Sequence, residues 1–191
     1  MSSLKANFDE LCERIRRGRE IGHAGFEPIY YLVFPPNEIL DVKRHTPAWI
    51  SKLKKEGWEV HTFSIAEQIW DLFKADPFWP FLVDQDKADP LNWKDSNKAL
   101  ADLLTSESGL LKRLEEALQP LEGRKNALLL VTDLEALHPY LRIGALESQL
   151  QGKFHVLTIF LYPGVRTGNT RLRFLGFYPE DGNYRSVHVG G

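Results

Sequence analysis

The 191-residue sequence has a single cysteine, Cys12, which excludes an internal disulfide and any multi-cysteine zinc site. That is the cysteine usage of a reducing compartment, and a cytoplasmic protein is expected. No apolar run approaches the ~20 residues that span a bilayer, and the opening MSSLKANFDELCERIRRGRE has acids but no apolar core, so it does not read as a secretory signal. No membrane association is expected. The histidines never form an i, i+4 pair with a carboxylate between, no Gly-x-Ser-x-Gly elbow occurs, and no glycine-rich loop ends in Lys and Ser or Thr. Zincin, serine-hydrolase and phosphate-loop chemistry lose their usual supports. Net charge is nearly missing too: at −2 there is no global field to draw in nucleic acid or an anionic membrane, so any such contact needs a local patch.

What is present is a chain able to fold around a core. Apolar residues make up 43%, charged residues 26% and aromatics 12%, and the length suits a single domain over 1–191. The segment Asn126 to Asp133, NALLLVTD, is apolar on both faces, as a strand covered by helices on both sides must be. Ile29 to Phe34 and His155 to Leu161 are of the same kind. All three run into turn chemistry, at Asp133-Leu134-Glu135, Pro35-Pro36-Asn37 and Tyr162-Pro163-Gly164. Trp58 to Phe63 is a further strand, and Ser64 caps the helix behind it. This β-α-β-α rhythm predicts a three-layer α/β fold with a mainly parallel central sheet, whose strands end along the edge where open α/β sheets bind ligands.

Phe8, Leu11, Cys12 and Ile15 predict an amphipathic N-terminal helix, with residues 1–27 as helix and linker. Its Arg14, Arg16, Arg17 and Arg19 either complement the helix dipole or offer a DNA contact, expected to be weak. From Asn37, a plausible cap, to the stop at Gly57, the pattern predicts one helix ending near His45 and a second starting at Thr46 and Pro47, or a single kinked helix. Residues 76–95, DPFWPFLVDQDKADPLNWKD, hold three prolines and five aspartates, and read as an insertion that is neither simple helix nor simple strand. Asn97 to Leu121 returns to helical period with a weak point at Gly109. Leu146, Leu150 and Gly152 mark a later helix and its end. RLRFLGFY and YRSVHV, joined by PEDGN with its Asp181-Gly182 signal, predict a C-terminal β-hairpin. The ending Val189-Gly190-Gly191 directly after a strand is compatible with a chain that continues.

Among polar residues, Asp133 and Glu135 stand where the second nucleotide-binding motif of P-loop ATPases has its acids. The loop that must accompany them is replaced by PPNEI, so they read first as strand-end or helix-cap residues, with a metal or nucleotide role as the alternative. Arg166 and Arg185 are candidate partner-binding residues: at a strand end the Arg166 guanidinium can grip a carboxylate, a phosphate or a backbone end, or is a solvated loop charge, and Arg185 is otherwise the cross-strand partner of an acid such as Glu180 or Asp181. Phe78, Trp79, Phe81 and Trp93 either form a partner-binding patch or pin the insertion to the body. No catalytic constellation, metal site or cofactor is expected.

The stretches YYLVFPPNEILDVKRHTPAWI, LLLVTDLEALHPYLRIGALESQLQG, FLYPGVRTGNTRLRFLGFY and DGNYRSVHVGG, in that order, resemble the BrxB family, the B component of bacterial BREX (bacteriophage exclusion) defence systems. The resemblance covers nearly the whole chain and rests on the YPG and DGNYRS segments in combination. It implies a P-loop-like core without the phosphate loop, and a small, required, non-catalytic protein. It also implies partners among the ATPase, the adenine-specific DNA methyltransferase and the alkaline-phosphatase-like protein encoded beside it.

Overall fold

The computed structural model describes residues 3–21, 28–149, 152–168, 171–181 and 186–191. Five strands lie side by side in the order β2 (Glu59–Ser64), β3 (Ala127–Thr132), β4 (Leu157–Thr167), β1 (Ile29–Phe34) and β7 (Val187–Gly190), each parallel to its neighbour. Alternate residues of the apolar runs enter opposite cores. Tyr30, Leu32, Phe34, Leu128 and Leu130 face one layer, while Ile29, Tyr31, Val33, Leu129 and Val131 face the other. That double burial is the reason these strands read as unbroken apolar sequence.

The first face is covered by α1 (Leu4–Ile21) and α2 (Ile39–Lys55), which meet where Phe8 stacks on Trp49 at 4.5 Å. Behind the second face lie α3 (Ile65–Ala75), α5 (Trp93–Thr105), α6 (Leu110–Leu118) and α7 (Ile143–Gln149). They bury Ile65, Ile69, Leu72, Phe73, Leu104, Leu110, Leu114, Leu118, Ile143 and Leu146. The expected α/β fold with a mostly parallel, helix-flanked sheet is therefore present. Gly57 ends α2 at φ +91, a conformation glycine adopts without cost. Among the described residues no helix is long and apolar enough to cross a membrane.

Local expectations give way to tertiary packing at several points. Of the two alternatives for the stretch from Asn37 to Gly57, the single helix is the one present: Pro47 sits inside α2, and Thr46 Oγ1 donates back to the Val42 carbonyl at 2.8 Å instead of capping a new helix. An internal proline costs about 3 kcal/mol, but Val42, Trp49 and Leu53 each gain about 1.5–3 kcal/mol on burial, so one continuous helix wins. Nor is Asn37 a cap, because a 3-10 turn over Pro36–Glu38 precedes α2 without a side-chain cap bond. The 76–95 segment is neither one helix nor a strand: α4 (Trp79–Ala88) carries Pro80 in its first turn, where a missing N–H is harmless, the helix stops at Asp89, and α5 begins at Trp93.

The Tyr162-Pro163-Gly164 segment is not a turn. β4 runs through it, with Pro163 in register with Phe34 and Gly164 opposite Phe174 of the antiparallel β5 (Arg171–Phe174). Glycine is required there by close approach, since a Cβ would lie 2.5 Å from both the Arg173 carbonyl oxygen and the Tyr162 ring. The predicted terminal hairpin is also replaced. β5 pairs with β4 and with the two-residue β6 (Glu180–Asp181), whereas β7 crosses to lie parallel beside β1. There Val189 joins the first core and covers a strand whose residues are all buried. The Gly182 end of the turn signal lies outside the described residues.

Candidate functional site

Ser64 and Thr132 are register partners at the ends of β2 and β3, so their hydroxyls share the carboxyl edge of the sheet. One residue on, the chain turns at Asp133 with φ 60 and ψ 35, a left-handed conformation that aspartate tolerates better than most side chains. Ser64 Oγ donates to Asp133 Oδ2 at 2.7 Å and Thr132 Oγ1 to the same oxygen at 2.8 Å. Ser64 also fulfils its expected role, accepting the Glu67 backbone N–H at 3.2 Å as the cap of α3. The other oxygen is taken by a residue from the opposite layer. Lys43 of α2 places Nζ 2.6 Å from Asp133 Oδ1 and 2.7 Å from Glu135 Oε1.

Burial alone would raise the Asp133 pKa, but Lys43 and the two hydroxyls outweigh it and hold the carboxyl below its usual range. Burial likewise opposes the Lys43 charge, yet the hydrogen bonds to Asp133 and Glu135 hold the ammonium above its usual pKa. An acid kept ionised is a weak proton acceptor, and an amine kept protonated is neither base nor nucleophile. The arrangement works as a clamp tying α2 to the end of β3, at the floor of a shallow cleft shared with Phe34, Ile39 and Leu161. Asp133 and Glu135 are the pair that could hold a divalent ion, though it would first have to displace the Lys43 ammonium. Asp133 follows the last residue of β3 directly and occupies the cap position of the 3-10 turn Leu134–Leu137 without a side-chain cap bond.

The aromatic residues of 76–95 divide. Trp79 points inward, stacked on Phe73 at 5.4 Å and edge-on to Trp70 at 5.8 Å, and pins α4 to α3. Phe78, Phe81 and Trp93 stay outside, 70%, 66% and 55% exposed, and Trp70 joins them at 49%. No residue of α4 is fully buried, Trp79 included. Of the alternatives drawn from the sequence, Trp79 takes the pinning one, and Phe78, Phe81 and Trp93 are left on the surface.

Arg166 is the penultimate residue of β4, which runs on through Gly164 to Thr167. Its Nε donates to the Gly168 carbonyl at 3.1 Å and its Nη1 to the His188 carbonyl at 3.5 Å, so the guanidinium grips backbone. Arg185 lies outside the described residues, and Glu180, one of the acids it could meet, faces Arg171 and Arg173 at 3.5 and 3.3 Å. On α1, Arg14 pairs with Glu10, and Arg16 and Arg17 pair with Glu13, which draws those arginines towards their own helix rather than an outside phosphate. His188 is buried, and burial first, then Arg166, pushes its pKa down to about 4. Burial pushes the Cys12 thiol up to about 11, as suits a core residue rather than a nucleophile.

Sequence reasoning missed two contributors. Trp70 was legible, because Ile65, Ile69, Leu72 and Phe73 already fill the buried stripe of α3 and leave it on the outer face. Lys43 carried no local signal; only the strand order, which sets β4 alone between β1 and β3, brings the helix after β1 to the acid after β3.

The family model of the BREX protein BrxB matches residues 61–189. No curated protein and no solved structure gives a significant match. The matched stretch runs from β2 to β7 and includes Ser64, Asp133, Glu135 and the exposed aromatic face, while Lys43 lies before it. The chain belongs to the BrxB family, and so to the components of the BREX phage-defence system.

Proposed function

We propose that this protein is a non-catalytic adaptor of the BREX machinery that holds another component through the aromatic face of α3, α4 and α5. One observation carries the reading: Trp70, Phe78, Phe81 and Trp93 stand exposed around a helix none of whose residues is fully buried. Aromatic side chains dominate the centres of interfaces, and prolines 77, 80 and 90 reduce the entropy lost when such a surface is ordered. The strand-end edge supports the same reading, since the acceptors of Asp133 are engaged by Lys43, Ser64 and Thr132. In this view the sheet is a P-loop-type core that has PPNEI in place of the phosphate loop and a lysine clamp against its strand-end acids. It acts in the cytoplasm.

The expected partner is the alkaline-phosphatase-like protein, the ATPase or the methyltransferase encoded with this family. The test is a pull-down of the full chain against each of these, repeated with Phe78→Ala plus Phe81→Ala. Capture of one component by the parent chain, lost in the folded double variant, is the expected result. Capture of none sinks the adaptor role, and undiminished capture by the variant sinks the surface.

A further inference from the structure

The charges around the exposed aromatics define what kind of surface can cover them. Between residues 67 and 95 there are seven carboxylates, Glu67 and Asp71, 76, 84, 86, 89 and 95, against three lysines, a net of four negative charges in a chain whose total is −2. The lysines are partly occupied already. Lys74 lies over the Trp70 ring at 4.8 Å, Lys94 lies 5.8 Å from the Trp93 ring centre, and Lys87 approaches Asp84 at 3.7 Å. Asp71, Asp86 and Asp89 make no ion pair among the described residues, and all three are exposed. Phe78, at the cap position of α4, and Phe81 and Asp84 within it follow at spacings of three, so apolar anchors and negative charge share one stripe.

We infer that the occupant of this face is a cationic amphipathic protein segment, presenting apolar side chains flanked by Lys or Arg. The inference rests on the adaptor reading and adds the chemistry of the partner. Apolar contact alone would be satisfied by many surfaces; the rim of unpaired carboxylates rejects acidic partners, nucleic acid and anionic membranes by like-charge repulsion. It attracts a basic segment, whose guanidinium or ammonium groups can also lie over the faces of Trp70 and Trp93.

The test measures binding of the full chain to each of the other BREX components, purified singly, at about 50 and about 500 mM salt. Two variants are compared with the parent: Asp71→Lys with Asp84→Lys, which keeps every aromatic, and Phe81→Ala, which keeps every charge. Both are first shown to unfold at the parent's temperature. The expected result is one component whose affinity falls about tenfold or more with the charge reversal, with Phe81→Ala and with added salt. Binding that survives reversal and salt but fails with Phe81→Ala overturns the cationic occupant while leaving the adaptor reading intact. Binding to no component overturns both. Self-association of the parent chain in sedimentation, abolished by Phe81→Ala, would assign the face to a second copy and also overturn the inference.

Discussion

Replacing Lys43 by Met removes the ammonium from the strand-end clamp while keeping a stem of similar reach. The side chains of Lys43, Asp133 and Glu135 are 47%, 19% and 23% exposed, so the cluster lies between two limits. A fully exposed ion pair contributes about 0–1 kcal/mol, and stranding a buried charge costs about 3–5 kcal/mol. Asp133 keeps its two hydroxyl donors and some water, and Lys43 is half solvated and screened, so a loss of about 1–2 kcal/mol is expected at pH 7. Urea unfolding measures it as a lower midpoint at unchanged slope. The pH dependence follows from the direction of the shifts. The Asp133 pKa is held down, so its contribution is complete above the ordinary carboxylate value and disappears as pH falls through the folded value. That of Lys43 is held up, so its contribution is complete below the ordinary lysine value and disappears as pH rises through the folded value. The gap between parent and variant should therefore be flat across neutral pH and close towards both extremes. The variant also leaves two carboxylates facing each other, and magnesium or manganese should raise its midpoint more than the parent's. An unchanged midpoint at pH 7, or a gap as large at pH 3 as at pH 7, would refute the clamp.

His188 is held neutral, with its pKa at about 4, so the unfolded chain takes up its proton first as pH falls from about 6.5, and stability should drop by about 3 kcal/mol by pH 4. His188→Gln should remove that part of the slope in urea titrations across the same range. Gly164→Ala forces a methyl against the Arg173 carbonyl and the Tyr162 ring, and should cost about 2–4 kcal/mol by thermal or urea unfolding; a cost below about half a kcal/mol would show that β4 and β5 can part there freely. Mixed with magnesium and ATP, the purified chain should neither bind nucleotide tightly in calorimetry nor release phosphate. Micromolar affinity lost on Asp133→Ala would restore an enzymatic reading.

The middle of the sheet was legible because its strands are buried on both faces, which is why Ile29 to Phe34 and Ala127 to Val131 are apolar throughout. Ser64 and Gly57 were legible as well, since caps and stops are local chemistry. What failed was local chemistry overruled from a distance. Pro47 breaks an isolated helix, but not one whose buried stripe continues through Trp49 and Leu53. Pro163-Gly164 signals a turn, yet Gly164 serves the approach of the Arg173 backbone. The last strand looked like the partner of its sequence neighbour β5, but β1 had the apolar edge to cover. At the candidate site, Asp133 could be singled out from its strand and the exposed aromatics from their prolines, whereas Lys43 belongs to the site only through the order of the strands.

The adaptor claim is tested most directly by calorimetric titration of the folded chain into each of the other BREX components, first as the parent and then as Phe78→Ala with Phe81→Ala. One component should bind, and the double variant, unchanged in its unfolding temperature, should bind about tenfold or more weakly. Heats absent for every component, or an affinity equal in parent and variant, would contradict the account.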